Sequence, residues 1–474
     1  MQKKSKLNVH LIGIAGKGMA GLALMFKQKG YNITGSDDGV YEPVLGMLKQ
    51  NKIKFTEGHS HKNIPKNTDL IIIGKHAKLV PESNEEVKYA FDSGIKIQSL
   101  PEALGELAKN TENTVVAGSF GKSSVTALLS WCLIIGKKDP SYFIGAVPLG
   151  FKRNAHLGKG KNFIFEGDEY PSSNWDSRSK FLHLKPKNLI LISGEHDHIN
   201  IFKTEEDYLK PYQALIKLLP STGLVVASLQ GKNIQKIIGT SKNKIVYYSF
   251  DDKNSWHAEN ITYGKVTKFD LYNGKKKVTS LSTLLLGKHN IENIIGVSAF
   301  VLEKKMITSK DLVKAIKTFK GISGRLDLKT KKSEVAIYES YGSSYAKAKA
   351  DFEAIAKHFP NKKLITIFEP HTFSWRNKNA KDWYKDIFDS SEEVLILPPP
   401  THGINSDQMT HDEIVREASK NHKKIYSIKT EKEALEKLKK ITKKDNIILL
   451  VTSGSLFGLT SSVPSLMEKM FPKK

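Results

Sequence analysis

One short stretch of the sequence combines a glycine-bearing turn with a Lys-Ser pair, between a β-prone run and an apolar helical pattern. Gly118 and Gly121 permit a tight turn whose backbone N–H groups point at a phosphate, and the N-terminus of the following helix adds partial positive charge. In such a loop Lys122 reaches the β- and γ-phosphates, and the Ser123 hydroxyl ligates Mg²⁺. Val116 stands where the full signature has a further glycine. The stretch predicts a nucleotide-binding loop, and the alternative is a strand-to-helix turn that binds nothing.

A second glycine-rich loop lies near the start of the chain. Gly16, Gly18 and Gly21 spell G-x-G-x-x-G, and Asp37 follows about 20 residues on, as in a dinucleotide-binding fingerprint. The physics requires only a diphosphate at a helix N-terminus, so a nucleotide-sugar diphosphate satisfies it as well as NAD does. An NAD oxidoreductase explains this loop but nothing near Lys122, and a tight packing turn is the simplest alternative.

Acidic and histidine residues follow two of the predicted strands. Glu166, Asp168 and Glu169 come at a strand end, where ligands of α/β proteins bind, and three carboxylates there suit a hard cation such as Mg²⁺. His196 and His198 form a His-x-His pair after the next strand. This pair suggests zinc, but only one other ligand is local and there is no second cysteine. A polar turn and a solvated loop are the alternatives.

Two further motifs lie in the later part of the chain. Residues 287–293 read Gly-Lys-His-Asn-Ile-Glu-Asn where a strand passes into a helix, and Asn290 is predicted to be the N-cap. Residues 324–327 read Gly-Arg-Leu-Asp at a predicted domain junction. Arg325 forms either a linker salt bridge or a contact with an anionic ligand between domains.

Strands and helices must bring these residues together, and they alternate along the whole chain. This alternation predicts an α/β protein of three domains, each with a mainly parallel sheet. The predicted domains are a Rossmann-like N-terminal domain (1–110), a central P-loop domain (111–322) and a Rossmann-like C-terminal domain (323–474). Asn273-Gly274 predicts a hairpin turn, and helices are predicted over Pro81 to Ser93 and Lys381 to Phe388.

Composition narrows the class of protein. The formal net charge is +25, mostly from lysines spread along the chain without an arginine-rich patch, which favours anionic small molecules over nucleic acid as ligands. Cys132 is the only cysteine, so no intramolecular disulfide can form, and a reducing cytoplasm is expected. No apolar run reaches the roughly 18–20 residues of a membrane span. We therefore expect a cytoplasmic protein without membrane insertion, either a monomer or a homodimer.

Taken together, the motifs resemble the Mur ligase family, the ATP-dependent amide ligases of bacterial peptidoglycan assembly. The resemblance covers essentially the whole chain, with the motifs in the family's order. The matching segments are residues 118–124 (the family's G-T-H-G-K-T-T), 166–169 (E-A-D-E), 197–198 (D-H), 287–293 (G-x-H-N-x-x-N) and the junction arginine, Arg325.

The resemblance implies that the central domain binds ATP and Mg²⁺. Lys122 is then expected to neutralise the γ-phosphate, Ser123 and Glu166 to hold Mg²⁺, and His198 to hold a second metal position. Catalytic roles fall to Lys122, Glu166, His198 and Arg325. The implied nucleotide contacts are Gly118, Ser119, Gly121, Lys122, Ser123, Ser124, Asn290 and Asn293, the last two at the adenine, and Arg325 from the hinge.

The resemblance also implies that the first domain binds a UDP-sugar and the third the incoming amine. The muramyl carboxylate is expected to attack the γ-phosphate to give an acyl phosphate, which the amine then attacks. The implied substrate contacts are Gly13, Ala15, Gly16, Lys17, Gly18 and Met19, with Ser36 and Asp37 near the uridine, and Glu169, Tyr170 and Arg178 in the central domain.

Within the family, the sequence is most similar to the peptidoglycan-recycling branch, which joins UDP-N-acetylmuramate to L-Ala-γ-D-Glu-meso-diaminopimelate. The similar segments are Ser36 to Pro43 (S-D-x-x-V-Y-x-P), Gly145 to Pro148 (G-G-V-P) and Asp176 to Phe181 (D-K-R-S-K-F). The alternative is the branch that adds L-alanine to the same UDP-muramyl substrate.

Two departures from the family pattern concern the reacting groups. Ser340 stands where the third domain's aspartate is expected, and Phe120 replaces the histidine of the phosphate loop. Glu339 is one position away and points to the opposite face of its strand. The departures leave open a ligase for another amine or UDP-sugar, and a catalytically weakened protein that binds UDP-sugar or ATP. If the missing carboxylate limits turnover, Ser340→Asp is expected to raise it.

Overall fold

The computed structural model of the chain describes residues 6–198, 201–239, 241–400 and 407–473. Three sheets of five, ten and six strands lie within these ranges. The chain divides into two units. The first unit is Met1–Glu259 with Asp270–Leu281 and Glu292–Phe319, and the second is Asn260–Phe269 with Ser282–Ile291 and Lys320–Lys474.

The first sheet is entirely parallel and carries the N-terminal glycine loop at the carboxyl end of its central strand. Its strands are β1 Asn8–Ile12, β2 Asn32–Asp37, β3 Lys54–Glu57, β4 Leu70–Ile73 and β5 Lys96–Ser99, in the order β3-β2-β1-β4-β5. Its helices are α1 Lys17–Lys29, α2 Val44–Gln50, α3 Glu85–Asp92 and α4 Leu100–Leu107, with a 3₁₀ turn at His61–Asn63. Every residue of β4 is buried, as expected for a strand with both faces covered. Helix α3 begins later than predicted because the Asn84 side chain caps it, accepting from Val87 N at 3.0 Å.

The second sheet carries the Lys-Ser loop. Its strands are β6 Glu112–Ala117, β7 Ser141–Phe143, β8 Ala155–His156, β9 Asn162–Glu166, β10 Asn188–Leu191, β11 Leu224–Ser228, β12 Lys244–Tyr248, β13 Trp256–Thr262, β14 Thr267–Asn273 and β15 Lys276–Thr283. The helices in this part of the chain are α5 Lys122–Ile135, α6 Glu205–Lys217, α7 Ile234–Ile238, α8 Lys288–Glu303 and α9 Ser309–Thr318, with a 3₁₀ turn at Lys180–His183.

Strand order places β6 in the interior of this second sheet. The order is β15-β14-β13-β12-β11-β10-β6-β9-β7-β8, and β6 pairs in parallel with both β10 and β9. The carboxyl ends of these three strands therefore share one edge, which brings together the loops that follow them. The predicted turn at Asn273-Gly274 joins β14 to β15, with Gly274 at φ 54°.

The third sheet is parallel apart from one edge strand. Its strands are β16 Arg325–Leu328, β17 Ala336–Ser340, β18 Lys363–Phe368, β19 Ser391–Ile396, β20 Ile425–Ser427 and β21 Asn446–Val451, in the order β16-β17-β21-β18-β19-β20. Only β16 runs antiparallel to its neighbour. The helices are α10 Tyr345–His358, α11 Phe373–Arg376, α12 His411–Ser419, α13 Glu431–Ile441 and α14 Leu459–Met470, with a 3₁₀ turn at Leu456–Gly458. The predicted helix over Lys381 to Phe388 is instead a 3₁₀ segment, Lys378–Lys385, that the Asn377 side chain caps.

One hydrophobic core joins the first two sheets. It includes Val9 of β1 and Val115 of β6, both buried. Gly21 allows α1 to pack closely here, because a Cβ at this position would lie 3.0 Å from the Ala155 side chain. The last glycine of the G-x-G-x-x-G pattern therefore serves packing between α1 and β8. The third sheet is covered on both faces by its own two clusters. Among the described residues, no helix is both long and apolar enough to cross a membrane.

Candidate nucleotide-binding site

The Lys-Ser loop connects β6 to α5 and has the geometry of an anion site. Gly118 and Gly121 have φ 145° and 80°, values that favour glycine. A Cβ at Gly118 would lie 2.8 Å from the backbone N of Ser193, so the loop passes close to the end of β10. Helix α5 begins at Lys122, and its N-cap, Gly121, has no side chain to cap the first turn. The N–H groups of that turn are thus placed for an anion.

Lys122 folds back over the loop. Its Nζ donates to the backbone oxygen of Gly118 at 2.7 Å and lies 2.9 Å from Oε2 of Glu169. The Glu169 side chain is 1% exposed. A buried carboxylate requires such a partner, so Glu169 holds the ammonium group at the mouth of the loop.

Ser123 and Glu166 form a second polar pair beside Lys122. The Ser123 hydroxyl donates to Oε1 of Glu166 at 2.8 Å, and Oε2 of Glu166 accepts from the backbone N of Gly145 at 2.7 Å. A hydroxyl and a carboxylate are oxygen donors of the kind that Mg²⁺ prefers. Two of the three predicted metal ligands therefore lie in contact.

The third predicted ligand, His198, joins the same cluster through Glu169. Its Nε2 lies 3.1 Å from Oε1 of Glu169, and its Nδ1 is hydrogen-bonded to the Tyr170 hydroxyl at 2.9 Å. Burial raises the pKa of Tyr170, so its hydroxyl keeps its proton. The structure thus links Lys122, Glu169, Tyr170 and His198 in one chain of contacts.

Ser119 anchors the loop to a helix that sequence reasoning missed. Its hydroxyl donates to the backbone oxygen of Glu195 at 2.5 Å and accepts from the Tyr208 hydroxyl at 3.0 Å. Tyr208 lies on α6, which was not predicted. The signal for that helix was available, because Thr204 caps it and accepts from Asp207 N at 3.1 Å in a Thr-x-x-Asp pattern.

Two asparagines of residues 287–293 have different surroundings. Asn293 approaches the loop, since a Cβ on Gly121 would lie 3.1 Å from its Oδ1. The N-cap predicted at Asn290 is wrong, because α8 already begins at Lys288. Asn290 instead donates through Nδ2 to the backbone oxygen of Leu286 at 2.7 Å, within the second unit.

Arg178, predicted to meet substrate, forms an ion pair in this structure. Its Nη2 lies 2.7 Å from Oδ2 of Asp176, and its Nε donates to Oδ1 at 3.0 Å. This hydrogen bonding to Arg178 holds the pKa of Asp176 well below its usual range. Glu102, Asp176 and His183 are spaced like metal ligands, but Arg178 already neutralises Asp176.

Near them, Asp168 is paired with Lys180, whose Nζ lies 2.6 Å from Oδ2. Burial tends to raise the pKa of Asp168, but the charge and hydrogen bond of Lys180 hold it below its usual value. Asp168 is therefore ionised, and its ion-pair partner is Lys180.

The N-terminal glycine loop is held by two residues of β2. Oδ2 of Asp37 accepts from the backbone N of Ala15 at 2.8 Å, and the backbone oxygen of Ser36 accepts from the backbone N of Gly13 at 2.9 Å. Gly13 has φ 84°, and α1 begins at Lys17 without a side-chain cap. Gly16 and Lys17 are exposed, while Met19 is buried in the core. The predicted UDP-sugar residues thus gather at one edge of the first sheet.

Glu86, which sequence reasoning missed, lies buried beneath this loop. Its carboxylate accepts from the Ser36 hydroxyl at 2.7 Å and is paired with His10 at 2.9 Å and His59 at 2.8 Å. The hydrogen bond to Glu86 raises the pKa of His59, against the effect of burial. No local pattern marks Glu86, because its partners come from three other parts of the chain.

The second unit contains Arg325 and the residue that replaces the expected aspartate. Arg325 on β16 is the register partner of Ser340 on β17. Ser340 is buried, and its hydroxyl donates to the Asp351 carboxyl. Glu339 points elsewhere and lies 2.6 Å from Lys329.

Two family models match the chain. Residues 8–112 match the model described as "Mur ligase family, catalytic domain", and residues 116–301 match the "Mur ligase middle domain". The chain is also 30% identical over 461 residues to a UDP-N-acetylmuramate–L-alanine ligase of Dictyoglomus turgidum, covering 95% of this chain and 94% of that protein.

Solved structures give a consistent likeness. The UDP-N-acetylmuramate:L-alanyl-γ-D-glutamyl-meso-diaminopimelate ligase of Neisseria meningitides is 26% identical, with a TM-score of 0.61, over 67% of this chain and 100% of that one. The UDP-N-acetylmuramate-alanine ligase of Thermotoga maritima is 20% identical, with a TM-score of 0.77, over 98% of this chain and 99% of that one. The second likeness concerns the fold alone. It confirms the predicted α/β class with mainly parallel sheets.

Proposed function

Since the chain belongs to the Mur ligase family, we propose that it is an ATP-dependent ligase that joins the carboxylate of UDP-N-acetylmuramate to an amine. Members of this family are ATP-dependent amide ligases. The observation that carries the proposal is the arrangement of the Lys122 loop, with the Ser123–Glu166 pair beside it.

The nucleotide is proposed to bind with its phosphates at the start of α5. The N–H groups of the first helical turn and the Lys122 ammonium then face the phosphates. Ser123 and Glu166 fit Mg²⁺ by their oxygen donors, and His198 is proposed as the second position. When bound, Mg²⁺ supplies positive charge against the triphosphate. The remaining nucleotide contacts are proposed as Gly118, Ser119, Gly121, Ser124, Asn290, Asn293 and Arg325.

The proposed reaction follows from the weak reactivity of a carboxylate toward an amine at neutral pH. The muramyl carboxylate attacks the γ-phosphorus, forming a C–O–P acyl phosphate and releasing ADP. The amine then attacks the acyl carbon, inorganic phosphate leaves, and a proton is lost from nitrogen. In this reaction the protein acts by positioning and charge neutralisation, for which Lys122 is the central residue.

Each proposed domain has one task. Residues 1–110 hold the UDP-sugar at the Gly13 to Gly18 loop and at Asp37, residues 111–322 hold ATP, and residues 323–474 hold the amine. The contact of Asp37 with the glycine loop supports this proposal, since its Oδ2 accepts from Ala15 N at 2.8 Å.

The amine that the comparisons favour is L-alanine, because the full-length relative at 30% identity is named as an L-alanine ligase. The tripeptide of the recycling branch is the second candidate. It is favoured by the segments Ser36 to Pro43 and Asp176 to Phe181 and by the 26% identical ligase of Neisseria meningitides. We place L-alanine first, since its support covers 95% of this chain.

Phosphate release tests the proposal. The protein is incubated with ATP, Mg²⁺ and UDP-N-acetylmuramate, together with L-alanine in one arm and L-Ala-γ-D-Glu-meso-diaminopimelate in the other. Release that requires L-alanine supports the first candidate, and release that requires the tripeptide supports the second. Nucleotide binding without release in either arm would replace the ligase proposal with the catalytically weakened binding protein.

A further inference from the structure

A buried chain of three hydroxyl groups ends on the Lys-Ser loop. It runs from Tyr212 and Tyr208 on α6 to Ser119 in the loop. We infer that Tyr208 is a positioning residue of the nucleotide site, which holds the Lys-Ser loop through the Ser119 hydroxyl in the shape that receives a triphosphate. The inference rests on the proposed function, because it requires ATP to bind at this loop.

The direction of each hydrogen bond in the chain follows from its last acceptor, the backbone oxygen of Glu195. A carbonyl oxygen only accepts, so the Ser119 hydroxyl donates to it, at 2.5 Å. Ser119 Oγ then accepts from the Tyr208 hydroxyl at 3.0 Å. Tyr208 has a single proton to donate, so its oxygen accepts in turn from the Tyr212 hydroxyl at 2.9 Å. The three hydroxyls therefore form one directed chain that starts on the helix and ends at the loop.

Burial makes this chain costly to break. Tyr208 and Tyr212 are fully buried, and Ser119 is 6% exposed. Burial raises the pKa of both tyrosines, so both hydroxyls keep their protons. A hydroxyl that lost its partner here would lack water to replace it, so the hydrogen bonds fix Ser119 relative to α6.

Ser119 transmits this constraint to the residues that are proposed to face the phosphates. Its backbone N donates to the backbone oxygen of Ser193 at 3.1 Å, so both of its polar hydrogens are donated to the segment that follows β10. The preceding residue, Gly118, accepts through its backbone oxygen from Lys122 Nζ at 2.7 Å. A displacement of Ser119 would therefore move the Gly118 turn and the ammonium group that this turn holds.

Packing of the aromatic ring alone is the competing explanation for Tyr208. Its ring lies against those of Phe202 and Tyr212, with the ring centroids 5.3 Å apart in each pair. Phenylalanine at position 208 keeps this packing and removes only the hydroxyl. Tyr212→Phe is the matched control, because it removes an equally buried hydroxyl on the same helix that bonds to Tyr208 rather than to the loop.

The experiment measures ATP affinity by calorimetry with Mg²⁺ present and the other substrates absent. The variants are Tyr208→Phe, Tyr212→Phe, Ser119→Ala and the double variant S119A/Y208F. Thermal unfolding is followed for each variant. The KM values for ATP and for UDP-N-acetylmuramate are measured where turnover occurs.

We expect Tyr208→Phe to weaken ATP affinity by about 3- to 10-fold, the equivalent of one neutral hydrogen bond. KM for ATP should rise, while KM for UDP-N-acetylmuramate should stay unchanged because the sugar is proposed to bind at the other glycine loop. Tyr212→Phe should lower the melting temperature without changing ATP affinity. The double variant should bind ATP no more weakly than Ser119→Ala, because the two residues act through one hydrogen bond.

Wild-type ATP affinity in Tyr208→Phe, equal losses in the two tyrosine variants, or additive losses in the double variant would overturn the inference while leaving the ligase proposal intact. A wild-type protein that binds no ATP would instead remove the ligase proposal, and the inference with it. If Tyr208→Phe does not fold, Ser119→Ala decides. Wild-type ATP affinity without the Ser119 hydroxyl contradicts the inference, and weakened affinity supports it.

Discussion

The ammonium of Lys122 lies 2.9 Å from the carboxylate of Glu169, and that carboxylate also lies 3.1 Å from Nε2 of His198. Glu169 is almost completely buried, and a buried carboxylate requires partners of this kind. A triphosphate bound at the start of α5, as proposed, would compete with Glu169 for Lys122. The Lys122–Glu169 ion pair therefore holds the ammonium group at the position where the phosphates are expected.

We predict that Lys122→Ala abolishes phosphate release, because the main neutralising charge is lost. The same change leaves Glu169 buried and unpaired at one side, which costs about 3–5 kcal/mol of stability for a buried pair. The measurements are phosphate release and the free energy of unfolding. Lys138→Ala, at an exposed lysine after α5, is the control.

The variant K122A/E169Q separates the two effects of Lys122. It removes the unpaired carboxylate and is expected to recover part of the stability without recovering activity. Substantial phosphate release by either Lys122 variant would show that the loop has been assigned wrongly.

We predict that Ser123→Ala raises the Mg²⁺ concentration needed for half-maximal phosphate release by about 10-fold or more, as for loss of a metal-site partner. The reason is that the Ser123 hydroxyl and Glu166 are the adjacent oxygen donors. Ser130→Ala is the matched control, because Ser130 is also buried on α5 and donates to the backbone oxygen of Thr126. Equal Mg²⁺ requirements in the two variants would contradict the metal assignment.

Glu86→Ala is expected to destabilise the protein by about 3–5 kcal/mol, since it removes the buried carboxylate that His10, His59 and Ser36 share. The neighbouring residue, Glu85, provides the control variant. Glu85 is paired with His61 at the surface, where an exposed ion pair contributes little to stability, so Glu85→Ala should have little effect. Urea unfolding measures both, and similar losses would show that the Glu86 cluster is not stabilising.

The pH dependence of stability should report Asp351. Burial raises the pKa of Asp351 to about 7, despite the hydrogen bond from Ser340 and the charge of Arg325. Between its usual unfolded value and 7 the folded state holds the proton more tightly, so this group's contribution to stability decreases as pH rises through that window. The Asp351→Asn variant does not lose stability in this way as pH rises. The difference in unfolding free energy between the variant and wild type should therefore grow in favour of the variant from pH 4 to about 7, and a constant difference would contradict the assignment.

The structure changes the expectation for Ser340→Asp. A second carboxyl at position 340 would stand against the buried Asp351 carboxyl, and two carboxyls in contact cannot both ionise without destabilising the folded state. We therefore predict a lower melting temperature and no gain in turnover for the single variant. The exchange S340D/D351S should relieve the loss, and raised turnover in the single variant would contradict this prediction.

Local patterns were enough for several features of this protein. The glycine turn before Lys122 was predicted because the turn, the Lys-Ser pair and the flanking strand and helix are contiguous. The hairpin at Asn273-Gly274 was predicted for the same reason. The N-cap at Asn290 failed because its side chain bonds to Leu286 instead. Asn is common at caps, but the helix had already begun at Lys288.

The sequence by itself thus determined the α/β class, the strand–turn–helix around Lys122 and the family, because each depends on residues close together in the chain. The partners of the candidate site residues were decided only by the tertiary structure. Lys122 meets Glu169, and Ser340 meets Asp351, because sheet order and helix packing bring separate segments to one edge. No local sequence pattern predicts such pairs, because the sequence around each residue would be the same in a chain whose strands were ordered differently.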